Sequence, residues 1–272
     1  MQERMQYKNH LNETLDFGQA GLFISNNDLH DYCWAVSTKN NKISYFKREV
    51  KESTLTVVIF CKTAAEGVAA RNRLMEVAEK DVLAHKPGQL IVGDYYYKCY
   101  ITCSQKSKYL ASRCKMEAKL TIMSDAPVWV RETTSSFRKL GSSGYGLDYK
   151  FDYTFDYTPI FTKGVLSNEN FTTSNFRMRI YGPCSNPVVY VAGHAYGVNC
   201  TLTSGEYLTI DSAAKTITKV AVDGTTTNIF NLRSRAEYVF EPIPDGSNLV
   251  TWTGDFGIDI TLLEERSEPK WI

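Results

Sequence analysis

Apolar and polar positions alternate over much of this chain. The clearest run is Cys114, Met116, Ala118, Leu120 and Ile122, interleaved with Arg113, Lys115, Glu117, Lys119 and Thr121. A period of two sends these sets to opposite faces, so the segment predicts an antiparallel strand with one wet face. Residues 55–60 and 95–103 are two further β-rich runs. Between them the period changes. Thr63-Ala64-Ala65-Glu66 has the spacing of a capping box, and Ala64, Val68, Met75, Ala78 and Val82 follow at helical intervals. Lys80, His85 and Lys86 place positive charge near the predicted helix end, and Pro87-Gly88 stops it. Residues 1–130 therefore predict a mainly β unit carrying one helix, laid on a sheet by a narrow, Ala-rich face.

Residues 131–175 change character. Ser135-Ser136 and Gly141-Ser142-Ser143-Gly144 predict loop. A repeat of period four follows, with Asp148-Tyr149, Asp152-Tyr153 and Asp156-Tyr157 leading each unit. On a helix it would stack three carboxylates on one stripe, so an extended linker is expected instead. The three aspartates also raise a calcium site, but no EF-hand glycine or bidentate Glu accompanies them. From 176 to 272 short β-runs recur at 176–181, 187–192, 207–210, 216–222, 226–230, 238–242, 249–253 and 258–263, and Asp223-Gly224 marks a hairpin. Several short strands at this spacing predict a β-sandwich or barrel.

Composition narrows the chemistry. Of 272 residues, 43% are hydrophobic and 22% charged, which fits two folded domains. Lys+Arg number 31 and Asp+Glu 30, so bulk charge would not hold nucleic acid. From residue 176 onward 8 basic and 11 acidic residues give −3, leaving +4 before it. No apolar stretch suits a signal peptide or a membrane span. The seven cysteines include no CxxC pair, and reduced structural thiols are expected. His10, His30, His85 and His194 lie at no metal-ligand spacing. Gly141-x-x-Gly144-x-Gly146 lacks the strand-to-helix setting of a phosphate loop. Glu264-Glu265 and the Asp255/Asp259 pair offer carboxylates, but adjacent residues on a strand point apart. The basic stretches Phe46-Lys47-Arg48 with Lys51, and Arg177/Arg179, fit solvated strand faces. No catalytic, cofactor or metal residues are assigned, and no enzyme activity is expected. Trp252, with nearby Tyr, leaves one alternative open: a carbohydrate-binding adhesion module.

Several strings resemble one family. Leu15-Asp16-Phe17-Gly18 followed by Gly21-Leu22-Phe23-Ile24 resembles the opening of siphophage distal tail proteins. The β-helix-β-β order of 54–123 fits that family's belt domain, and FDYTFDY resembles its interdomain segment. NPVVYVAGHAYGVN (186–199), GEYLTID (205–211), FNLRSRAEYVFEPIPDGSN (230–248) and WTGDFGIDITLLEERSEPKW (252–271) are similar to its C-terminal domain in phages of Gram-positive bacteria. The resemblance implies a sandwich or barrel-like belt domain with one α-helix, joined to a galectin-like β-sandwich. It further implies a hexameric ring that connects the tail tube protein to the tail tip or baseplate. A receptor-binding protein or host-surface glycan is the outward partner it implies, with no membrane and no sequence-specific nucleic acid. The genome would pass through the lumen, and the protein would sit in the virion tail after assembly in the host cytoplasm. His194 is followed by Ala-Tyr-Gly where galectins carry His-x-Asn-x-Arg, so "galectin-like" describes fold only. Trp271 is a further expectation, as an anchor of the C-terminal segment.

Overall fold

The computed structural model describes residues 4–19, 21–107, 113–139 and 162–270. The chain divides into two compact units, Met1–Arg131 with Glu265–Ile272, and Glu132–Glu264.

The first unit contains β1 (Met5–Lys8), β2 (Thr14–Phe17), β3 (Leu22–Asn27), β4 (Ala35–Lys39), β5 (Lys42–Lys47), β6 (Lys51–Phe60), α1 (Ala64–Ala84), β7 (Gly88–Val92), β8 (Tyr95–Ser107), β9 (Lys115–Ser124) and the start of β10 (Trp129–Phe137). All pairing here is antiparallel. One ladder runs β10-β8-β7-β1-β2 and another runs β8-β9-β6-β3. β8 serves both: Tyr95–Cys99 pair with β7, and the stretch from Tyr100 onward pairs with β9, past a bulge between Ile101 and Cys103. A bulge sharpens local twist, which lets one strand leave one sheet and enter another. Leu55, Val57 and Ile59 alternate into the core with Met116, Ala118, Leu120 and Ile122, as the sequence pattern requires.

Helix α1 begins with the expected box. The Glu66 amide donates to Thr63 Oγ1 at 3.2 Å, and Thr63's amide donates to Glu66 Oε2 at 3.2 Å. Its buried face differs from the predicted one. Gly67, Leu74, Val77, Ala78 and Asp81 are buried, whereas Val68, Met75 and Val82 lie on the rim, each more than a third exposed. The cause is Gly67. A Cβ there would strike the carbonyl oxygen of Arg113, just before β9, so the helix turns the glycine and not Val68 toward the chain. His85 caps the other end in the left-handed region at φ 51°.

The second unit holds β11 (Thr162–Asn168), β12 (Asn175–Tyr181), β13 (Cys184–Ser185), β14 (Val188–Val191), β15 (His194–Gly197), β16 (Thr201–Leu202), β17 (Tyr207–Asp211), β18 (Thr216–Val220), β19 (Thr226–Asn228), β20 (Gly246–Trp252) and β21 (Ile258–Arg266), which ends just past the division. β19-β18-β17-β12-β21 form one sheet, β11-β20-β14-β15 another, and β13 pairs β16. Phe176, Met178 and Ile180 of β12 and Ile258, Ile260 and Leu262 of β21 point inward to join Val189, Val191, Val250 and Trp252. The result is a β-sandwich, so the chain is mainly β, with one α-helix among the described residues.

Three local expectations change. Strands β10 and β11 occupy both ends of the 131–175 segment expected to be linker. Ser135-Ser136 lies inside β10, whose mixed exposure hides the alternation. The Asp-Tyr repeat and the Gly141–Gly146 stretch lie outside the described residues. Residues 238–242 form a turn, not a strand, although Val239 and Phe240 are buried. The run at 226–230 ends as a strand at Asn228 and passes into one 3₁₀ turn, Phe230–Leu232. The Asp223-Gly224 hairpin forms as expected, with Gly224 at φ +84°.

Candidate interaction surface

The sequence reading assigned no site, and the residues it weighed disperse. Trp252 is only 2% exposed; its Nε1 donates to the Phe256 carbonyl at 3.0 Å and Phe137 packs edge-on at 5.7 Å. It is a core residue, so it gives a sugar no stacking face. Asp259 accepts from the Tyr181 hydroxyl at 2.6 Å, Asp255 from Thr253, and Glu264 is buried. His194 is held between Glu237, at 3.0 Å from Nδ1, and the Tyr238 carbonyl, at 2.9 Å from Nε2. His10 faces Asp81 at 2.5 Å. Arg177 lies 3.4 Å from Asp211, and Arg179 stacks over Tyr207 at 5.6 Å. Among the described residues no group of three His, Cys, Asp or Glu could hold a metal ion.

What stands out is a hairpin the sequence reading missed. β4 and β5 pair with each other, from Ala35↔Lys47 to Lys39↔Lys42, and among the described residues with no other strand. Asn40 and Asn41, at φ 51° and 57°, make the tight turn; asparagine tolerates this left-handed geometry and matches strand twist there. All six residues of β5 are exposed. Ile43 is 59% exposed and Phe46 57%, and Val36 and Tyr45 are also exposed. A two-stranded ribbon without a core is marginal in water, and apolar side chains on both its faces call for a partner. Its base is firm. Arg48 stacks over Trp34 at 4.5 Å and its guanidinium reaches Ser267 Oγ at 3.5 Å, beside a cavity of about 420 Å³. Lys39, Lys42, Lys47 and Arg48 make the arm basic, with Lys47 paired to Glu49 at 2.6 Å.

The same unit offers concave surfaces. One groove of about 950 Å³ runs between β2, β3 and the start of α1, walled by Leu15, Leu22, Phe23, Phe60 and Ala70. Phe23 and Phe60 are exposed along it. A second, of about 430 Å³, lies along the half-exposed Val68 and Met75 of α1. Val68 and Met75, taken from the sequence as part of the helix's buried face, thus line the rim of a groove, while Ala78 of that stripe is buried as expected. A Lys-Asn-Asn-Lys turn between alternating apolar residues was the available signal for the hairpin.

No protein-family model and no curated protein sequence matches the chain. Solved structures do. The crystal structure of the SPP1 Dit protein, described as a paradigm of the hub adsorption apparatus in phages infecting Gram-positive bacteria, aligns at 10% identity and TM-score 0.60 over 98% of this chain and 100% of that one. A chain of the phage P2 baseplate in its activated conformation with Ca aligns at 12% identity and TM-score 0.64, covering 99% of this chain and 100% of its own. The same baseplate with Sr gives the same values. The chain has the fold of these phage hub and baseplate proteins.

Proposed function

We propose that this protein is a structural component of a phage tail, a distal tail protein. In this assignment six copies close into a ring at the far end of the tail. The ring joins the tail tube to the tail tip or baseplate, and the second unit, read as a galectin-like sandwich, contacts receptor-binding or host-surface partners. The observation that carries the assignment is the hairpin of Ala35–Lys39 and Lys42–Lys47, exposed and apolar on both faces, on a chain with a hub fold. An arm on one side and apolar grooves elsewhere on the same unit are the two halves of a heterologous contact, and such contacts close into rings when the rotation fits. The role is mechanical and needs no catalytic group. Assembly in the host cytoplasm and residence in the virion tail follow from it. The near-neutral charge fits a conduit that lets DNA pass without gripping it.

Mass measurement and negative-stain imaging of the purified chain test this. A six-fold ring with a central hole is the expected result. A strict monomer at high concentration and in tail particles would overturn it.

A further inference from the structure

We propose that Cys61 and Cys114 form an intrachain disulfide when the protein meets a low-molecular-weight disulfide oxidant. The register carries this. Phe60 pairs with Lys115 at the last rung of the β6–β9 ladder. One residue further, the Cys61 amide donates to the Cys114 carbonyl at 2.9 Å, so the two cysteines face each other directly. Residues directly opposite share a face, and both continue the inward sets, Cys61 after Ile59 and Cys114 before Met116. Such a hydrogen-bonded antiparallel pair has its Cα atoms about 5.5 Å apart. That lies inside the roughly 4.4–6.8 Å window of disulfides. Both thiols are free, and the Cys61 sulfur now lies against Gly21, so closure needs a turn about its χ1.

The chemistry balances. The Cys114 thiol is the more exposed of the two and, as thiolate, attacks one sulfur of the oxidant. One oxidant thiolate leaves. The Cys61 thiolate then attacks the Cys114 sulfur of the mixed disulfide and expels nothing but the second oxidant thiol. Two protein thiols lose two protons and two electrons, and one disulfide becomes two thiols. Burial, and next Glu66 and Cys114, push the Cys61 thiol up, and its attack is favoured instead by being intramolecular, on a sulfur held directly opposite. Other pairs do not qualify. Cys184 faces Leu202, while the Asn186 amide bonds the Cys200 carbonyl, so that pair is two residues out of register. A reducing cytosol keeps the Cys61 and Cys114 thiols free, and release from the host cell supplies the oxidising condition.

The experiment is incubation of the full chain with oxidised glutathione, followed by alkylation, intact mass and peptide mapping without reductant. The expected result is a loss of about 2 Da and a Cys61–Cys114 linked peptide in the monomer band, with a rise of several degrees in Tm that reductant reverses. Persistent glutathione adducts on Cys114, or full alkylation of both cysteines after oxidation, would overturn it. Cys114→Ser should abolish the linked peptide. The wild-type alkylation pattern decides the matter even if that variant folds poorly. The claim concerns one chain, so its outcome is independent of whether six copies assemble.

Discussion

The phenol of Tyr7 donates a 2.5 Å hydrogen bond to Asp81, a carboxylate on α1 with no exposed surface. Asp81 accepts also from the His10 amide at 2.9 Å and meets the His10 ring at 2.5 Å. Burial, and then this bond, hold the Tyr7 hydroxyl far above its ordinary range, so it stays a donor throughout neutral pH. A buried carboxylate is tolerated only while its acceptor sites are filled. Tyr7→Phe should therefore cost about 1–3 kcal/mol in urea unfolding. Gly88→Ala should cost at least as much, since its methyl would strike both the Tyr7 hydroxyl and the Asp81 carboxylate. Unchanged midpoints for both would show that the network is idle.

The hairpin gives the functional test. Ile43→Asp with Phe46→Asp places charge on an arm that touches no core, so the isolated chain should keep its stability to within about 0.5 kcal/mol. Its assembly should collapse to monomer in light scattering. A ring that survives both substitutions would assign the contact elsewhere.

Trp252 separates core from ligand. Trp252→Ala should lower stability by about 3–5 kcal/mol in chemical denaturation, through the cavity it leaves. A carbohydrate site at this residue would show the opposite pattern, lost glycan binding at unchanged stability.

Glu206 supplies a pH dependence. Its carboxylate accepts from the Thr203 amide at 2.7 Å and lies 2.9 Å from Lys219 Nζ, and these contacts, the backbone bond first, pull it down to about 2. A depressed carboxylate contributes stability above its unfolded value of about 4.3 and loses it as pH falls. The protection of the Thr203 amide, taken relative to its intrinsic exchange rate at each pH, should fall between about pH 4.5 and 2, and Glu206→Gln should flatten that profile.

These residues also show what the chain discloses before folding. The alternation from Cys114 to Ile122 and the Thr63–Glu66 cap are local signals, and the structure keeps both. The helix face was misjudged because periodicity weighs side-chain apolarity, whereas packing was decided by an absent side chain at Gly67. β11 escaped notice because its pattern, with only Leu166 and Asn168 buried, has little apolar contrast. The hairpin looked like a basic stretch because its apolar residues lie on both faces, which no single-face periodicity describes.

Strand β8 has one more consequence. As the one strand common to both ladders of its unit, it makes them mechanically a single part. Sliding one ladder past the other must break rungs on β8 itself, around the bulge at Thr102. The arm joins the unit at β3 and β6, which pair with each other, and from β6 the backbone ladder runs through β9 to β8 and on to β7 and β1. β8 thus couples the two ladders, so a pull on either is shared by both.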